Sequence, residues 1–247
     1  MASRRLWKID WKGEVELKRK IRERYTLAII FLILFAVLTV LVQKVDVQPA
    51  GPNGSEIGFA KINTAVHEKL GENDLCYKLT KLIGYLAIAT APCFALLALT
   101  QAIRKRSLSG VDGDLWALAV FYVLVGACYI AFEKYVVNYR PILVDGVLEA
   151  SYPSSHTMLT TALFGMTIVQ MRKRVHIKPL RGLIDVVLGA GIASMAVGRL
   201  MSGVHWLTDI AGGLLLGLAL TELYDAVFTQ IRRTQKRKAK SAKKNRK

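Results

Sequence analysis

The sequence predicts an all-α integral membrane protein: a bundle of six transmembrane helices with an amphipathic helix at its outer interface. Three observations lead to this fold class. Of the 247 residues, 53% are hydrophobic. Residues 25–43 and 82–103 carry no charge over 19 and 22 residues, and a helix needs about 20 apolar residues to cross a bilayer. The 35 lysines and arginines, against 18 acidic residues, are concentrated in short segments. This composition excludes a disordered chain, a collagen-like fibre and a disulfide-stapled secreted module.

Six candidate spans follow one another along the chain, at about residues 25–43, 82–103, 115–133, 156–171, 183–201 and 205–228. The last three contain polar or charged residues, among them Gln170, Asp185 and Glu222. Charges inside a membrane are costly and normally face the interior of a bundle. We therefore interpret these three segments as spans that enclose a site.

An amphipathic helix is predicted between the first and second spans, after a loop rich in Pro, Gly and Asn at residues 47–55. Apolar residues recur there at near-helical spacing, at Ile57, Ile62, Val66 and Leu70. Gly71 is expected to end this helix, and Asn73 or Asp74 to cap the next one.

The basic residues predict the orientation. Segments 1–24, 104–106, 172–181 and the tail after residue 229 hold nine, three, five and ten of them, and only eight lie elsewhere. With six alternating spans, all four segments lie on one side, and cytoplasmic segments carry the excess of Lys and Arg. Both termini are therefore expected in the cytoplasm of a multi-pass plasma-membrane protein.

Three regions follow: a basic cytoplasmic segment (1–24), a six-helix membrane domain (25–228) and a basic cytoplasmic tail (229–247). The tail directly follows a span and lacks interleaved aromatic residues, so we expect its partners to be anionic lipid headgroups and not nucleic acid. The three cysteines show no spacing typical of a zinc site. The oligomeric state is left open.

Three polar clusters lie at the outer ends of the predicted spans: the segment that runs from Lys134 to Arg140, residues 152–156, and residues 198–209. Two arginines, Arg140 and Arg199, offer planar forks suited to phosphate oxygens. In the second cluster, Ser154 and Ser155 open a helix, whose first N–H groups form an anion site.

The histidines of these clusters predict phosphoryl transfer. His205 and Asp209 have i,i+4 spacing and share one face of a helix. A carboxylate that accepts the proton of one imidazole nitrogen leaves the other nitrogen's lone pair free to attack. His156, on another helix, is then available to protonate a leaving oxygen. This set indicates a phosphohistidine intermediate.

Two alternatives use the same residues. A haem held by His156 and His205 gives the two arginines no role beyond propionate binding. A non-catalytic protein that binds a lipid phosphate needs the arginines but has no use for the spacing of His205 and Asp209.

At the three clusters the sequence resembles the type-2 phosphatidic acid phosphatase superfamily of membrane lipid phosphatases. The family signatures Lys-x6-Arg-Pro, Pro-Ser-Gly-His and Ser-Arg-x5-His-x3-Asp correspond to the segment ending Arg140-Pro141, to residues 153–156 and to residues 198–209. The third signature keeps its Arg, His and Asp in full. The resemblance implies that His205 is the nucleophile, Asp209 orients it, and His156 is the acid. It also implies that the phosphate oxygens are held by Arg140, Arg199, Ser154 and Ser155, and that no metal or other cofactor is needed.

The sequence departs from the family at three positions. Glu133 occupies the lysine position of the first signature and Lys134 follows one residue late, a shift of about 100° on a helix. Ser155 replaces Gly and Gly198 replaces Ser. Lys134 is expected to reach the phosphate only if the helix frays at the membrane surface. The proposed nucleophile, its aspartate and the acid are unchanged, so we expect an active enzyme.

The expected substrate is a lipid whose phosphate lies at headgroup depth on the outer face. The short loops resemble the bacterial members that act on undecaprenyl diphosphate or phosphatidylglycerophosphate. Undecaprenyl diphosphate is favoured because it is released on the outer face, and phosphatidylglycerophosphate and phosphatidic acid are the alternatives.

Overall fold

The computed structural model describes residues 2–244, which form seven α-helices and no β-strand. The helices are α1 (Ala2–Val42), α2 (Ala60–Leu70), α3 (Asp74–Lys105), α4 (Gly113–Lys134), α5 (Ser155–Arg174), α6 (Lys178–Met201) and α7 (Leu207–Lys244). The predicted all-α fold is confirmed, and a long helix covers most or all of each predicted span.

Five helices are long and apolar enough to cross a membrane: α1, α3, α4, α6 and α7. The remaining long helix, α5, has 20 residues and is too polar to meet the same criterion. Its polar side chains are buried against its neighbours, among them Thr157, Thr160, Thr161 and Gln170. A helix enclosed by protein does not have to be apolar on every face. The described residues therefore establish a multi-pass membrane protein, while the count of six spans stays a prediction.

Helices α5 and α7 approach closely along small residues. A Cβ atom added to Gly213 would lie 2.7 Å from the carbonyl oxygen of Ser154, and one added to Gly217 would lie 2.6 Å from the Cβ of Thr161. Small residues at helix interfaces let two backbones come together in a membrane. The first turn of α5 is thereby held against the first turn of α7, where the backbone N–H of Ser154 donates to the carbonyl of Asp209 at 3.0 Å.

At one end of the bundle, ion pairs join four helices. Arg24 of α1 lies 2.7 Å from Glu222 of α7, and Lys173 of α5 lies 2.6 Å from Asp114 of α4. The basic loops and the basic parts of α1 and α7 are found at this end. Its cytoplasmic location stays a prediction. The proposed region boundaries at residues 24/25 and 228/229 fall inside the continuous helices α1 and α7.

At the opposite end, α2 forms where the amphipathic pattern predicted a helix. Gly71 ends it with φ +65°, and the side chain of Asn73 caps α3 by accepting from the backbone N–H of Cys76 at 2.9 Å. The backbone N–H of Lys61 donates to the carboxylate of Asp46 at 2.8 Å and lowers the pKa of that carboxyl group. This hydrogen bond holds the loop that contains Asp46 against the first turn of α2.

The buried face of α2 differs from the predicted one. Ile62 and Leu70 are exposed, whereas Asn63 is buried. Its amide nitrogen donates to the carbonyl of Gly58 at 2.8 Å and to the hydroxyl of Thr208 at 3.0 Å. Because these bonds satisfy a polar side chain in the interior, α2 packs through Asn63 and leaves two apolar residues on its outer surface.

The segment between α4 and α5 folds back on itself as a short hairpin. Its tip is a turn at Asp145 and Gly146, both with positive φ, and the backbone N–H of Arg140 donates to the carbonyl of Glu149 at 3.1 Å. The indole N–H of Trp206 donates to the carbonyl of Tyr139 at 2.7 Å. The hairpin is therefore anchored to the start of α7, and Arg140 lies beside that helix.

Candidate active site

The three polar clusters meet where the hairpin covers the ends of α5, α6 and α7. The side chains at their centre are almost completely enclosed, since Arg199 is 1% exposed, His205 2% and Asp209 0%. Charged residues are rarely buried to this extent unless they are paired or serve a site. The predicted convergence of the clusters is therefore seen in the fold.

His205 is oriented by two charged neighbours. Its Nε2 lies 3.2 Å from Nη2 of Arg199, and its Nδ1 lies 3.6 Å from Oδ2 of Asp209. A guanidinium can only donate hydrogen bonds, so Nε2 presents its lone pair to Arg199 and Nδ1 carries the hydrogen. The Nδ1–Oδ2 separation is longer than a hydrogen bond. This tautomer leaves the lone pair of Nε2 on the side of the arginine.

Asp209 is held by the start of its own helix. Its Oδ2 accepts from the backbone N–H of Trp206 at 2.8 Å, which is half of a capping box. The helix begins at Leu207, so His205, which was predicted to share a helix face with Asp209, lies just before the helix. The Oδ1 atom has no hydrogen-bond partner among the described residues, although the side chains of Ser151 and Asn138 lie beside the carboxylate.

His156 lies in the first turn of α5 and faces α3. A Cβ atom added to Gly84 would lie 3.2 Å from Cδ2 of the His156 ring. That contact would be tighter than ordinary van der Waals contact, so the glycine lets the imidazole pack closely against α3. The Nδ1 atom of His156 is buried and has no hydrogen-bond partner among the described residues.

The predicted phosphate-binding residues surround the two histidines. Arg140 is 8% exposed, and its Nε lies 3.0 Å from the carboxylate of Glu149. Ser154 is buried and its hydroxyl accepts from that of Thr157 at 3.0 Å. Ser155, the first residue of α5, lines a narrow pocket together with His205 and Glu133. Together these residues place cations, a hydroxyl group and a helix N-terminus around the two histidines.

Lys134 is not part of this cluster. It is exposed at the last residue of α4, whereas Glu133 lines the pocket beside His205. The structure thus brings together seven of the eight predicted site residues: Arg140, Ser154, Ser155, His156, Arg199, His205 and Asp209.

Sequence reasoning missed three residues of the hairpin that contact the site: Asn138, Glu149 and Ser151. Their signal was the Asp145-Gly146 pair between two valines, a strong indicator of a tight hairpin. In the fold, Tyr139 pairs with Ala150, two residues out of the register that this turn alone would give, and Glu149 comes to lie beside Arg140.

Comparisons with known proteins agree with this arrangement. Residues 115–233, which contain all three clusters, match the model of the PAP2 superfamily. The fold is also similar to the crystal structure of a transmembrane PAP2 type phosphatidylglycerolphosphate phosphatase from Bacillus subtilis, with a TM-score of 0.57 and 18% sequence identity. That similarity covers 80% of this chain and 93% of the other. No curated protein matches the sequence.

Proposed function

We propose that the chain is a phosphatase of the PAP2 superfamily, whose model matches residues 115–233 and so agrees with the three motifs, and that it hydrolyses a membrane lipid phosphate through a phosphohistidine on His205. The observation that carries this proposal is the buried chain Arg199–His205–Asp209, with distances of 3.2 Å and 3.6 Å. It presents one imidazole nitrogen to a cation that binds phosphate, and the other to a carboxylate.

In the first step, Nε2 of His205 forms a bond to the phosphorus as the bond to the leaving oxygen breaks. Arg199 turns from the lone pair to the phosphate oxygens, while Arg140 and the N-terminus of α5 at Ser154 bind the others. Such groups stabilise the charge that develops in the transition state. His156, protonated when the substrate binds, gives its proton to the leaving oxygen.

In the second step, water attacks the phosphohistidine. His156, now neutral, takes a proton from the water as its oxygen bonds to phosphorus, and the P–N bond breaks. Inorganic phosphate leaves and the lone pair of His205 is restored. The positive charge that the imidazole carries in the intermediate is stabilised by Asp209.

The substrate we propose is a lipid with its tail in the bilayer, and undecaprenyl diphosphate is the leading candidate. The helices that flank the site expose apolar residues outward, for example Leu82 of α3, Val120 of α4 and Val186 of α6. These surfaces suit contact with lipid chains, and the arginines suit a highly charged headgroup. Phosphatidylglycerophosphate is the second candidate, because the similar Bacillus subtilis protein is described as a phosphatase of that lipid.

Purified protein in detergent, assayed for phosphate release with a chelator present, tests this function. The panel contains undecaprenyl diphosphate, phosphatidylglycerophosphate and phosphatidic acid at matched surface concentration, and the control is His205→Ala. We expect turnover by the wild type and background release by His205→Ala. Equal release by the two proteins would contradict the enzyme, and faster turnover of the phospholipids would contradict the isoprenoid substrate.

A further inference from the structure

One face of α3 carries a second group of site residues. Tyr77, Lys81 and Gly84 have spacings of four and three residues and therefore share this face. The Lys81 Nζ lies 4.8 Å from the centroid of the Tyr77 ring, and Cζ of Arg199 lies 5.4 Å from the same centroid. One turn further along, Gly84 contacts the ring of His156. Lys81 is thus adjacent both to the arginine of the site and to its acid.

The environment of Lys81 lacks a counter-charge. Among the residues that the structure describes, no carboxylate lies within ion-pair distance of its ammonium group, although the residue is only partly exposed. Lys78 on the same helix differs, because it is exposed and lies 2.5 Å from Asp74. Two cations beside one aromatic ring repel each other, and an anion that contacts both relieves that repulsion. Lys81 therefore has the surroundings of a residue that binds an anionic ligand.

We propose that Lys81, with Tyr77 and Arg199, forms a subsite for the second phosphate of a lipid diphosphate, the phosphate that leaves with the lipid. This inference rests on the proposed function and specifies its substrate class. His156 protonates the leaving oxygen, and Lys81 and the Gly84 contact of His156 lie one turn apart on α3. The leaving group therefore lies on the α3 side of the site.

The charges balance for a diphosphate. Nε2 of His205 bonds to the terminal phosphorus, and the bond from that phosphorus to the bridging oxygen breaks. The bridging oxygen takes the proton of His156 and departs as a lipid monophosphate, whose remaining negative charge lies against Lys81. A lipid monophosphate has no second phosphate to place there, so its turnover requires little from Lys81.

This subsite also explains how the site can lack the lysine of the first family signature. Glu133 occupies the lysine position and Lys134 is exposed away from the pocket. The additional cation is instead supplied by α3, whose Lys81 lies near the outer end of the helix that precedes α4.

Steady-state kinetics with farnesyl diphosphate and farnesyl monophosphate, which share one lipid tail, test the proposal. The variants are Lys81→Met, Lys81→Arg and the matched control Lys78→Met. We expect Lys81→Met to raise KM for the diphosphate about tenfold or more, equivalent to about 1.4 kcal/mol, and to change KM for the monophosphate less than about twofold. Lys81→Arg is expected to recover part of the loss, and Lys78→Met to behave as wild type.

The activity of Lys81→Met on the monophosphate also shows that the variant is folded. Equal effects of Lys81→Met on both substrates, or no effect on either, would overturn the diphosphate subsite while the phosphatase remains. Absence of phosphate release by the wild type from either substrate would overturn the proposed function itself, and the subsite with it.

Discussion

At the scale of single residues, the contact between Arg199 and His205 decides which imidazole nitrogen would react in the proposed mechanism. Because the guanidinium donates to Nε2, the hydrogen lies on Nδ1, where Asp209 can stabilise it. In the proposed mechanism Arg199 therefore has two roles: it selects the tautomer of His205 before the substrate binds, and it binds phosphate afterwards.

Asp209→Asn is expected to lower kcat by about 10⁴-fold, as the same change does in a Ser-His-Asp triad. The amide keeps an oxygen that can accept from the Trp206 N–H, so the start of α7 is retained. It lacks the negative charge that stabilises His205 in the intermediate. Turnover and thermal unfolding are measured together, and a variant with wild-type kcat and an unchanged Tm would show that Asp209 has no part in catalysis.

A second test distinguishes the roles of Glu133 and Lys134 at the end of α4. Because Lys134 is exposed, Lys134→Ala is expected to change kcat/KM by less than about fivefold, the effect typical of a surface charge. Glu133→Gln removes a negative charge from the wall of the pocket and should lower KM for phosphate substrates. A loss of more than tenfold for Lys134→Ala would instead give Lys134 the role of the family lysine.

Much of the site followed from motif spacing at this scale, because Arg199, His205 and Asp209 lie within 11 residues, between the last turn of α6 and the first turn of α7. Glu149, Asn138 and Ser151 did not follow, since their contacts depend on how a hairpin folds over the bundle. Lys81 was not predicted as a site residue for a similar reason. Its partner Tyr77 is on the same helix, but Arg199 reaches it only through the packing of α6 on α3.

At the scale of helices, α5 forms the polar centre of the bundle and depends on close packing with α7. Hydropathy alone does not identify α5 as a span. The burial of its threonines is set by the packing of α5 against α3, α6 and α7, which hydropathy does not describe. Hydropathy detects helices that face lipid and is a weak guide to a helix that other helices enclose.

Gly213→Leu is expected to separate α5 from α7 and destabilise the fold. The side chain would overlap the Ser154 carbonyl and Thr157, and overpacking of this kind costs about 1–3 kcal/mol or more. The control is Gly126→Leu in α4, where an added Cβ meets nothing within 4 Å. Thermal unfolding in detergent should show a lower Tm for Gly213→Leu than for Gly126→Leu, and equal values would mean that the α5–α7 contact is looser than described.

At the scale of the whole molecule, charge divides the bundle into two ends. One end holds the basic loops and the ion pairs of Arg24, Arg172 and Lys173, and the other holds the candidate active site. The excess of Lys and Arg on the first end predicts that it faces the cytoplasm. The active site would then open on the extracytoplasmic side.

Single cysteines test this orientation in a protein whose Cys76, Cys93 and Cys128 are replaced by serine. Val147 at the hairpin is 58% exposed, and Ser107 lies in the exposed loop between α3 and α4. In intact cells, an impermeant maleimide is expected to label Val147→Cys and not Ser107→Cys. Both sites should react after the cells are lysed. Labelling of Ser107→Cys in intact cells would reverse the orientation.

The most direct test of the central claim is to trap the phosphoryl group on the enzyme. Wild type and His205→Ala are mixed with a lipid diphosphate labelled with ³²P at its terminal phosphate, and the reaction is stopped in alkali, which preserves phosphohistidine. We expect acid-labile label on the wild type, located at His205 by peptide mass spectrometry, and none on His205→Ala. Continued phosphate release without any labelled protein, or label on another residue, would contradict His205 as the nucleophile.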